Sequence, residues 1–415
     1  MKLVLVLFLA LAAAPAAEAG RGPRIARRTP VVRPRARLPR RPAARRSHVL
    51  PRLVAPRADL HFQPLDVHLP RTGRQLQRRF RRELEAWRGA RIAERAGSVF
   101  VVVPARNEER EIRATLDHLL GALQESPSME VAVVDNGSTD ATGARIRAWA
   151  RAHAGEVDLI DHTSARGRHA AARPARGRLR LHLLEEKVPG KTGALLRTRD
   201  LFATLGYAPE WIAQLDADSR IRRGQVEALV AGATGGGHVA ATGVAEEVRW
   251  NGEPVAPYRT KGPGTPPGQW QNLNGGFLVA RTAAFLAGYR AIAATFPAAA
   301  TEDALFSATL RIAGFSTAPP DPAVRFQTLG PRSEQEARKR LVRVRSGDIQ
   351  VERIYGHDTL ARIGHATDWK GGMDLDHLAG SWGAGDERRA RWISVMREAR
   401  RAAAEDGTYT WTPSR

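Results

Sequence analysis

The segment that decides the fold is SVFVVVPARNEE, residues 98–109. It is a short run of β-branched and aromatic residues that is closed by Pro104, as in a buried parallel strand. The next apolar residues recur at helical spacing: Ile112, Leu116, Leu119, Leu120 and Leu123. VAVVDNGSTD, residues 131–140, then repeats the order of strand, acidic turn and helix start. Strand, helix and strand within about forty residues predict a βαβ unit with a parallel sheet.

Polar motifs follow the strands of this predicted sheet. Further strands fit LRLHLL, WIAQLD and HVAATGVA, at residues 179–184, 211–216 and 238–245. The motifs at the strand ends are Arg106–Glu109, Asp135–Asp140, Glu185–Lys191 and Asp216–Asp218. Because such sheets bind ligands at the carboxyl ends of their strands, we expect one ligand site at this edge.

Two aspartates end the segment QLDAD, residues 214–218. Residues i and i+2 of a strand face the same way, so Asp216 and Asp218 are expected to point to one place above the sheet. Two carboxylates in one place repel unless a cation lies beside them. Mg²⁺ and Mn²⁺ prefer oxygen ligands and often keep only one or two carboxylates besides substrate phosphates. The pair therefore predicts a metal and diphosphate site, although D-x-D alone also fits a solvated turn.

A P-loop is the competing interpretation of the neighbouring segment. VPGKTGALL, residues 188–196, follows a strand, opens a helix and contains GKT. A P-loop needs a glycine five positions before Gly190, and Glu185 stands there. The sequence therefore argues against a P-loop NTPase.

Taken together, the motifs resemble those of family 2 glycosyltransferases of GT-A fold. They are VVVPARNEE, VVDNGSTD, PGKTGALL, QLDAD, NGGFLVAR and TEDALFSATLRIAGF, in the family's order over roughly residues 98–315. The resemblance implies an α/β fold: a GT-A, Rossmann-like, mostly parallel sheet flanked by helices, with a small C-terminal appendage. It also implies a nucleotide-sugar donor, usually a UDP-sugar, and a hydroxyl-bearing acceptor such as a glycan, a lipid or a small molecule.

The resemblance further implies roles for individual residues. The nucleotide pocket would contain Pro104, Ala105, Glu108, Asp135, Lys191 and Asp216. Within it, Asp135 would accept a hydrogen bond from the base and Asp216 would lie near the ribose. Asp218, together with Asp216, would bind the divalent metal, Mg²⁺ or Mn²⁺. Asp303 of TEDALF would be the catalytic base.

The chemistry of sugar transfer agrees with these roles. The leaving diphosphate develops charge that a preorganised cation stabilises, and the acceptor hydroxyl needs a carboxylate that takes its proton. Asp303 follows Thr301, a candidate helix N-cap, and the helix dipole there keeps a carboxylate ionised. A simple capped helix start is the alternative interpretation. One base without a second nucleophilic carboxylate predicts a single displacement with inversion.

The chain departs from the processive members of the family, which carry Q-x-x-R-W after the base and then transmembrane helices. The segment RLVRVRSG, residues 340–347, keeps Arg343 but has Arg340 and Val344 in place of Gln and Trp. No membrane helices follow, so we predict a non-processive enzyme.

Two loops are also predicted. The Gly- and Pro-rich residues 251–269 predict a long active-site loop, and the basic residues 162–178 predict a mobile insertion.

Most of the positive charge belongs to the first residues of the chain. Residues 1–95 contain 23 Lys and Arg but only 6 Asp and Glu, which is +17 of the net +22. The absence of cysteine excludes disulfides and thiolate metal sites.

The sequence predicts five divisions of the chain. They are a signal-like segment at 1–19, a basic, Pro/Arg-rich disordered linker at 20–70, a basic helical lead-in at 71–95, the GT-A domain at 96–345 and the appendage at 346–415.

The signal-like segment conflicts with the cytoplasmic supply of nucleotide sugars. Membrane association with a cytoplasmic catalytic body is favoured. An exported protein is expected if the segment is cleaved, and a cytoplasmic protein is expected if the start codon is misassigned.

The alternative function is an exported or membrane-surface GT-A-like binding protein without catalysis. An anionic membrane is the expected partner of the basic tail. Nucleic acid is not expected, because the folded body has no basic and aromatic stripe.

Overall fold

The computed structural model describes residues 60, 64–90, 92–123, 129–163, 178–248, 272–296, 299, 301–331, 333–365, 394–395 and 397–401. The predicted loop at 251–269 lies outside the described residues, as does most of the insertion at 162–178. The signal-like segment and most of the linker also lie outside them.

The described residues include nine strands and nine helices with defined bounds, and residues 394–395 and 397–401 are also helical. The strands are β1 (Ala93–Ala105), β2 (Met129–Asp135), β3 (Val157–Asp161), β4 (Leu179–Glu185), β5 (Tyr207–Leu215), β6 (Ser219–Arg220), β7 (Ala240–Val248), β8 (Phe277–Arg281) and β9 (Asp321–Leu329). The helices are α1 (Arg71–Gly89), α2 (Ile112–Leu123), α3 (Thr142–Ala152), α4 (Lys191–Leu205), α5 (Gln225–Gly235), α6 (Thr282–Thr295), α7 (Glu302–Ile312), α8 (Glu334–Tyr355) and α9 (His357–Arg362). None of these helices is long and apolar enough to cross a membrane.

The strands lie in one sheet in the order β3-β4-β2-β1-β5-β8-β7-β9-β6. The first five strands are parallel, and β8 runs antiparallel to both of its neighbours, β5 and β7. The unit β1-α2-β2 is the predicted βαβ unit, with a parallel pair of strands. The predicted α/β class, a mostly parallel sheet flanked by helices, is therefore confirmed.

Residues 99–103 of β1 are continuously apolar and buried, whereas the first residues of the strand are exposed. Phe100 and Val102 belong to the apolar layer that contains residues of α4 and α6. Val99, Val101 and Val103 belong to the layer on the other side, with residues of α2 and α3. Alternate residues of a strand point to opposite faces of the sheet. Where helices cover both faces, no side chain of the strand faces solvent, so apolar residues are favoured at every position.

Two predicted boundaries differ from the structure. Leu69 is buried, and the Leu65 N–H donates to the Ile312 carbonyl at 3.0 Å, so the last residues of the predicted linker pack on the body. Helix α8 runs through the boundary predicted between 345 and 346. It continues because Val351 and Ile354, beyond that boundary, are buried in the core.

The lead-in and the appendage differ in a similar way. The helical lead-in ends with α1 at Gly89, and β1 begins at Ala93, inside the range predicted as helical. Within the appendage, Ala399 is buried and its carbonyl accepts a hydrogen bond from the Ser346 hydroxyl of α8 at 3.2 Å. The described part of the appendage is thus packed on the body through α8.

Candidate active site

Strand register brings the predicted site residues to one edge of the sheet. Ala105 of β1 lies opposite Asp135 of β2, and Asp135 lies opposite Glu185 of β4. On the other side of β1, Val102 lies opposite Gln214 of β5. Since these four strands are parallel, the residues that follow β5, beginning with Asp216, lie at the same carboxyl edge.

The loops after β1 and β2 are tied to each other by side-chain hydrogen bonds. The Asn107 N–H donates to the Ser138 hydroxyl at 3.0 Å, and the Asn107 side-chain oxygen accepts from the Thr139 N–H at 2.8 Å. The Glu108 N–H donates to the Thr142 hydroxyl at 2.8 Å. Asn107 has a φ of 57°, a left-handed conformation that asparagine tolerates better than most residues. The two tied loops, which contain the half-buried Pro104 and Glu108, therefore form a preformed wall of the candidate site.

Asp135 lies between this wall and the first turn of α3. Its Oδ1 accepts from the Ser138 N–H at 3.0 Å. Its Oδ2 lies so close to Gly143 that a Cβ there would be 2.8 Å away. Glycine at this position therefore gives the carboxylate room beside a helix N-terminus, which favours negative charge.

Lys191 stands at the centre of a three-residue ion-pair cluster. Its Nζ is 2.7 Å from Oδ1 of Asp216 and 2.8 Å from Oε1 of Glu302. Lys191 begins α4 and Glu302 begins α7, so the cluster joins two helix N-termini to the end of β5. The sequence motif indicated Lys191 but not Glu302. The only signal for Glu302 was an acid directly before Asp303 at a helix start.

Burial and charge act in opposite directions within this cluster. Burial lowers the pKa of Lys191, but the carboxylates of Asp216 and Glu302 outweigh it and raise the pKa, so the ammonium stays charged. Burial raises the pKa of Glu302, but Lys191 outweighs it and lowers the pKa, so Glu302 is ionised although it is buried. The buried cation and its buried anion therefore stabilise each other.

The two D-x-D aspartates flank a buried alanine. Ala217 is buried, and its carbonyl accepts from the Thr115 hydroxyl at 2.5 Å, which fixes the turn after β5. Asp216 and Asp218 on either side are half-buried. Burial raises the pKa of Asp216 to about 6; the Lys191 ammonium lowers this pKa, and the carboxylate of Asp218 raises it further. The two carboxylates are thus close enough to interact.

The donor set at this turn fits a hard divalent ion that shares its ligands with a substrate. Among the described residues, no group of three or more His, Asp or Glu could hold a metal alone. Asp216 and Asp218 supply oxygen ligands only, which Mg²⁺ and Mn²⁺ prefer. These ions commonly complete their coordination with phosphate oxygens and water. Two carboxylates are therefore enough if a diphosphate binds beside them.

Asp303 is held by the backbone of the glycine loop before β8. Its Oδ2 accepts from the Gly275 N–H at 2.8 Å, and its Oδ1 accepts from the Ala304 N–H at 2.9 Å. A Cβ on Gly275 would lie only 3.0 Å from Oδ2. The Gly275 carbonyl in turn accepts from the buried Gln214 side chain at 2.8 Å, which connects the loop to β5. Burial, and after it the carboxylate of Glu302, raises the pKa of Asp303.

Thr301 occupies the N-cap position of α7, but its side chain makes no capping hydrogen bond. It packs instead against α8, where a Cβ on Gly347 would lie 1.9 Å from the Thr301 hydroxyl. The simple capped helix start is therefore an incomplete description, because the first turn of α7 uses its two acids for tertiary contacts with Lys191 and Gly275.

Comparison with known protein families gives one match to part of the sequence. Residues 100–179 match the sequence model of glycosyl transferase family 2. No curated protein matches the sequence. The match confirms the predicted resemblance to family 2 glycosyltransferases, which are enzymes, and it covers the first two strand ends of the site. Lys191, Asp216, Asp218 and Asp303 follow the matched segment, so their roles stay predictions.

Solved structures show weaker similarity. The mannosyltransferase PcManGT from Pyrobaculum calidifontis, in complex with GDP-Man and Mn²⁺, is 16% identical over 81% of this chain and 96% of that chain, with a TM-score of 0.49. Residues 1–349 of TarS from S. aureus, in complex with UDP-GlcNAc, are 15% identical over 73% and 80%, with a TM-score of 0.38. A mycobacterial protein is 21% identical over 69% and 79%, with a TM-score of 0.35. At these scores, the fold assignment rests on the strand order and register described above.

Proposed function

We propose that this glycosyltransferase moves a sugar from a UDP-sugar to a hydroxyl acceptor, with a divalent metal and with inversion at the anomeric carbon. The observation that supports this function is the meeting of three kinds of group at one sheet edge. These are a carboxylate pair for a metal, Asp216 and Asp218; a buried cation, Lys191; and a separate half-buried carboxylate, Asp303. The family match supports the reaction class.

One set of residues would bind the donor and stabilise its leaving diphosphate, and Asp303 would act on the acceptor. Asp216 and Asp218 would hold Mg²⁺ or Mn²⁺, which when bound stabilises negative charge on the diphosphate. The Lys191 ammonium lies beside Asp216 and adds positive charge on the same side. Asp135 and the loop wall of Pro104, Ala105 and Glu108 would hold the nucleoside.

Asp303 would accept the proton of the acceptor hydroxyl as its oxygen attacks the anomeric carbon. Burial raises the pKa of Asp303, which makes the carboxylate a better base near neutral pH. The carboxylate of Glu302, the adjacent acid, is instead paired with the Lys191 ammonium. If Asp216 and Asp218 hold the metal and Glu302 pairs with Lys191, Asp303 is the one carboxylate of this described cluster that is left to act as a base. This arrangement favours a single displacement, which inverts the configuration.

Calorimetry with UDP-sugars, with and without Mn²⁺, tests the donor and the metal together. We expect metal-dependent binding by the wild-type chain and loss of the metal dependence in Asp218→Asn. Asp200→Asn, an exposed change on α4, is the matched control and should bind like wild type. Metal-independent binding by the wild-type chain would remove the metal from the mechanism. Donor binding without turnover on any acceptor would favour a GT-A-like binding protein.

We also propose membrane association with the catalytic body in the cytoplasm, where the donor is made. The apolar run and the arginines within residues 1–59 support this localisation. Fractionation of cells tests it. Recovery of the full chain in the soluble cytoplasmic or the exported fraction would contradict it.

A further inference from the structure

Helix α1 has two faces of opposite character. The residues that it buries against the body are Gly73, Leu76, Gln77, Phe80, Leu84 and Trp87. Its exposed face carries Arg71, Arg74, Arg78, Arg81, Arg82 and Arg88. At 100° per residue, these six arginines lie within about 120° of the helix circumference and extend over about 26 Å. We call this set the arginine face.

Among the residues that the structure describes, the arginines of this face outnumber the acids near it. Glu85 is the one exposed acid of α1, and it pairs with Arg81 at 2.9 Å. Glu83 turns toward the body and pairs with Arg290 at 3.2 Å. Arg71, Arg78 and Arg82 form no ion pair with any residue that the structure describes. A helix that is only solvated usually mixes both signs of charge in similar numbers. Six exposed arginines against one exposed glutamate on the same face therefore require another explanation.

We propose that the arginine face docks on an anionic membrane surface. A straight, rigid row of cations on the outside of a packed helix matches a flat layer of anionic head groups, and the attraction needs no insertion of the helix. Residues 20–57 are also rich in arginine and contain no acid, but residues 58–70, which separate them from α1, contain Asp59 and Asp66 and no Lys or Arg. The arginine face is therefore a second basic segment of the chain, distinct in sequence from the basic linker.

Nucleic acid is another polyanion that the arginine face could bind. Proteins that hold single strands stack bases on exposed aromatic side chains. Both aromatic residues of α1, Phe80 and Trp87, are instead buried in the core. The arrangement of α1 therefore favours the membrane, and the docking does not depend on sugar transfer.

Co-sedimentation of the full chain with vesicles tests the proposal. The vesicles are phosphatidylcholine alone or a 3:1 mixture with phosphatidylglycerol, at about 0.1 M salt, where charges are screened beyond about 10 Å. The variant R71Q/R78Q/R82Q removes three unpaired arginines of the face. The charge-matched control R113Q/R145Q/R151Q removes three exposed arginines of α2 and α3. Circular dichroism verifies that both variants fold.

We expect wild type and control to bind the anionic vesicles alike and the face variant to bind roughly 100-fold more weakly, since each arginine near such a surface contributes roughly a factor of five. Equal binding by both variants would overturn the proposal and assign the attraction to the tail or to net charge. Equal binding to neutral vesicles would also overturn it. So would binding of single-stranded DNA that is stronger than vesicle binding and is lost only in the face variant.

Discussion

At the residue scale, the site depends on a buried lysine with two carboxylate partners. Lys191 joins the end of β5 to the start of α7, and Glu302 is 4% exposed. Removing one member of a buried ion pair leaves an uncompensated charge, which costs far more than the pair contributes when it is intact. Lys191 is therefore expected to matter for stability as well as for donor binding.

Lys191→Met should lower the free energy of unfolding at pH 7 by about 3–5 kcal/mol, because Glu302 would stay buried without its cation. Urea denaturation measures the change. Arg197→Met is the control, because Arg197 pairs with Asp200 on the surface of the same helix and should cost less than about 1 kcal/mol. If the two variants lose the same free energy of unfolding, burial of the Lys191–Glu302 pair does not determine the size of the loss.

Asp216 should make stability depend on pH between about 4 and 6. Its pKa is raised from 3.8 to about 6 in the folded chain, so the folded state binds the proton more tightly than the unfolded state does. Stability from this group is therefore full below about pH 4 and is lost as pH rises through 6. Asp216→Asn should remove this slope. Urea denaturation of both chains at pH 4.5 and 6.5 measures the difference, and identical slopes would exclude the raised pKa.

Asp303→Asn should retain donor and metal binding and lose transfer by roughly 10²–10⁴-fold, the usual size of general-base catalysis. Asparagine keeps the shape and one of the two acceptor oxygens, so it can accept from the Gly275 N–H but then not from the Ala304 N–H. Donor binding, melting temperature and transfer rate are measured on one variant. Preserved turnover with a modest fall in melting temperature would leave Asp303 with a structural role at the start of α7.

Asp135→Ala should weaken UDP binding by about 1–3 kcal/mol, the cost of a lost hydrogen bond to a charged group. Calorimetry with UDP measures the change. Ser138→Ala removes the partner that holds Oδ1 of Asp135 and separates positioning from direct contact. Unchanged UDP affinity in Asp135→Ala would rule out a contact with the base.

At the element scale, α8 packs against α7, the helix that carries Glu302 and Asp303. Gly347 lies so close to Thr301 that any side chain would collide with it, and Arg343 of the same helix contributes to the lowered pKa of Glu302. Helix α8 therefore affects both the position and the electrostatics of the first turn of α7, although Arg343 is the one residue of α8 that the Q-x-x-R-W comparison matched.

Gly347→Ala should lower the free energy of unfolding by about 1–3 kcal/mol, because the new methyl group forces α7 and α8 apart. Gly121→Ala in α2 is the control, since its Cβ would meet nothing within 4 Å. There alanine should stabilise by about 0.5–1 kcal/mol. Thermal unfolding of the two variants shows opposite signs if the helix contact is as described.

At the scale of the whole molecule, the body extends through the boundary that the motifs suggested. Tyr355 is fully buried, and its hydroxyl lies 2.7 Å from that of Thr309 on α7. Leu69, from the predicted linker, is buried in the same apolar layer. The catalytic body therefore needs chain segments on both sides of its motifs.

A chain that ends at Arg345 should lose cooperative thermal unfolding, whereas a chain that ends at Arg401 should keep it. The shorter chain lacks Val351, Ile354 and Tyr355 and exposes the apolar surface of α1 and α7 that they cover. Calorimetry compares both with the full chain. A cooperative transition in the shorter chain at an unchanged temperature would place the boundary at 345 after all.

The sequence by itself determined the parallel half of the sheet and the place of the site. Residues 99–103 of β1 and 131–134 of β2 are apolar on both faces, which requires helices on both sides of the sheet. The polar residues that follow parallel strands must then lie at one edge. Only the tertiary structure decided the reversed direction of β8, the pairing of Lys191 with Glu302 and the continuation of α8 through residue 345. These depend on contacts between residues far apart in the chain, and local periodicity carries no information about which distant segment a buried charge or an apolar face will meet.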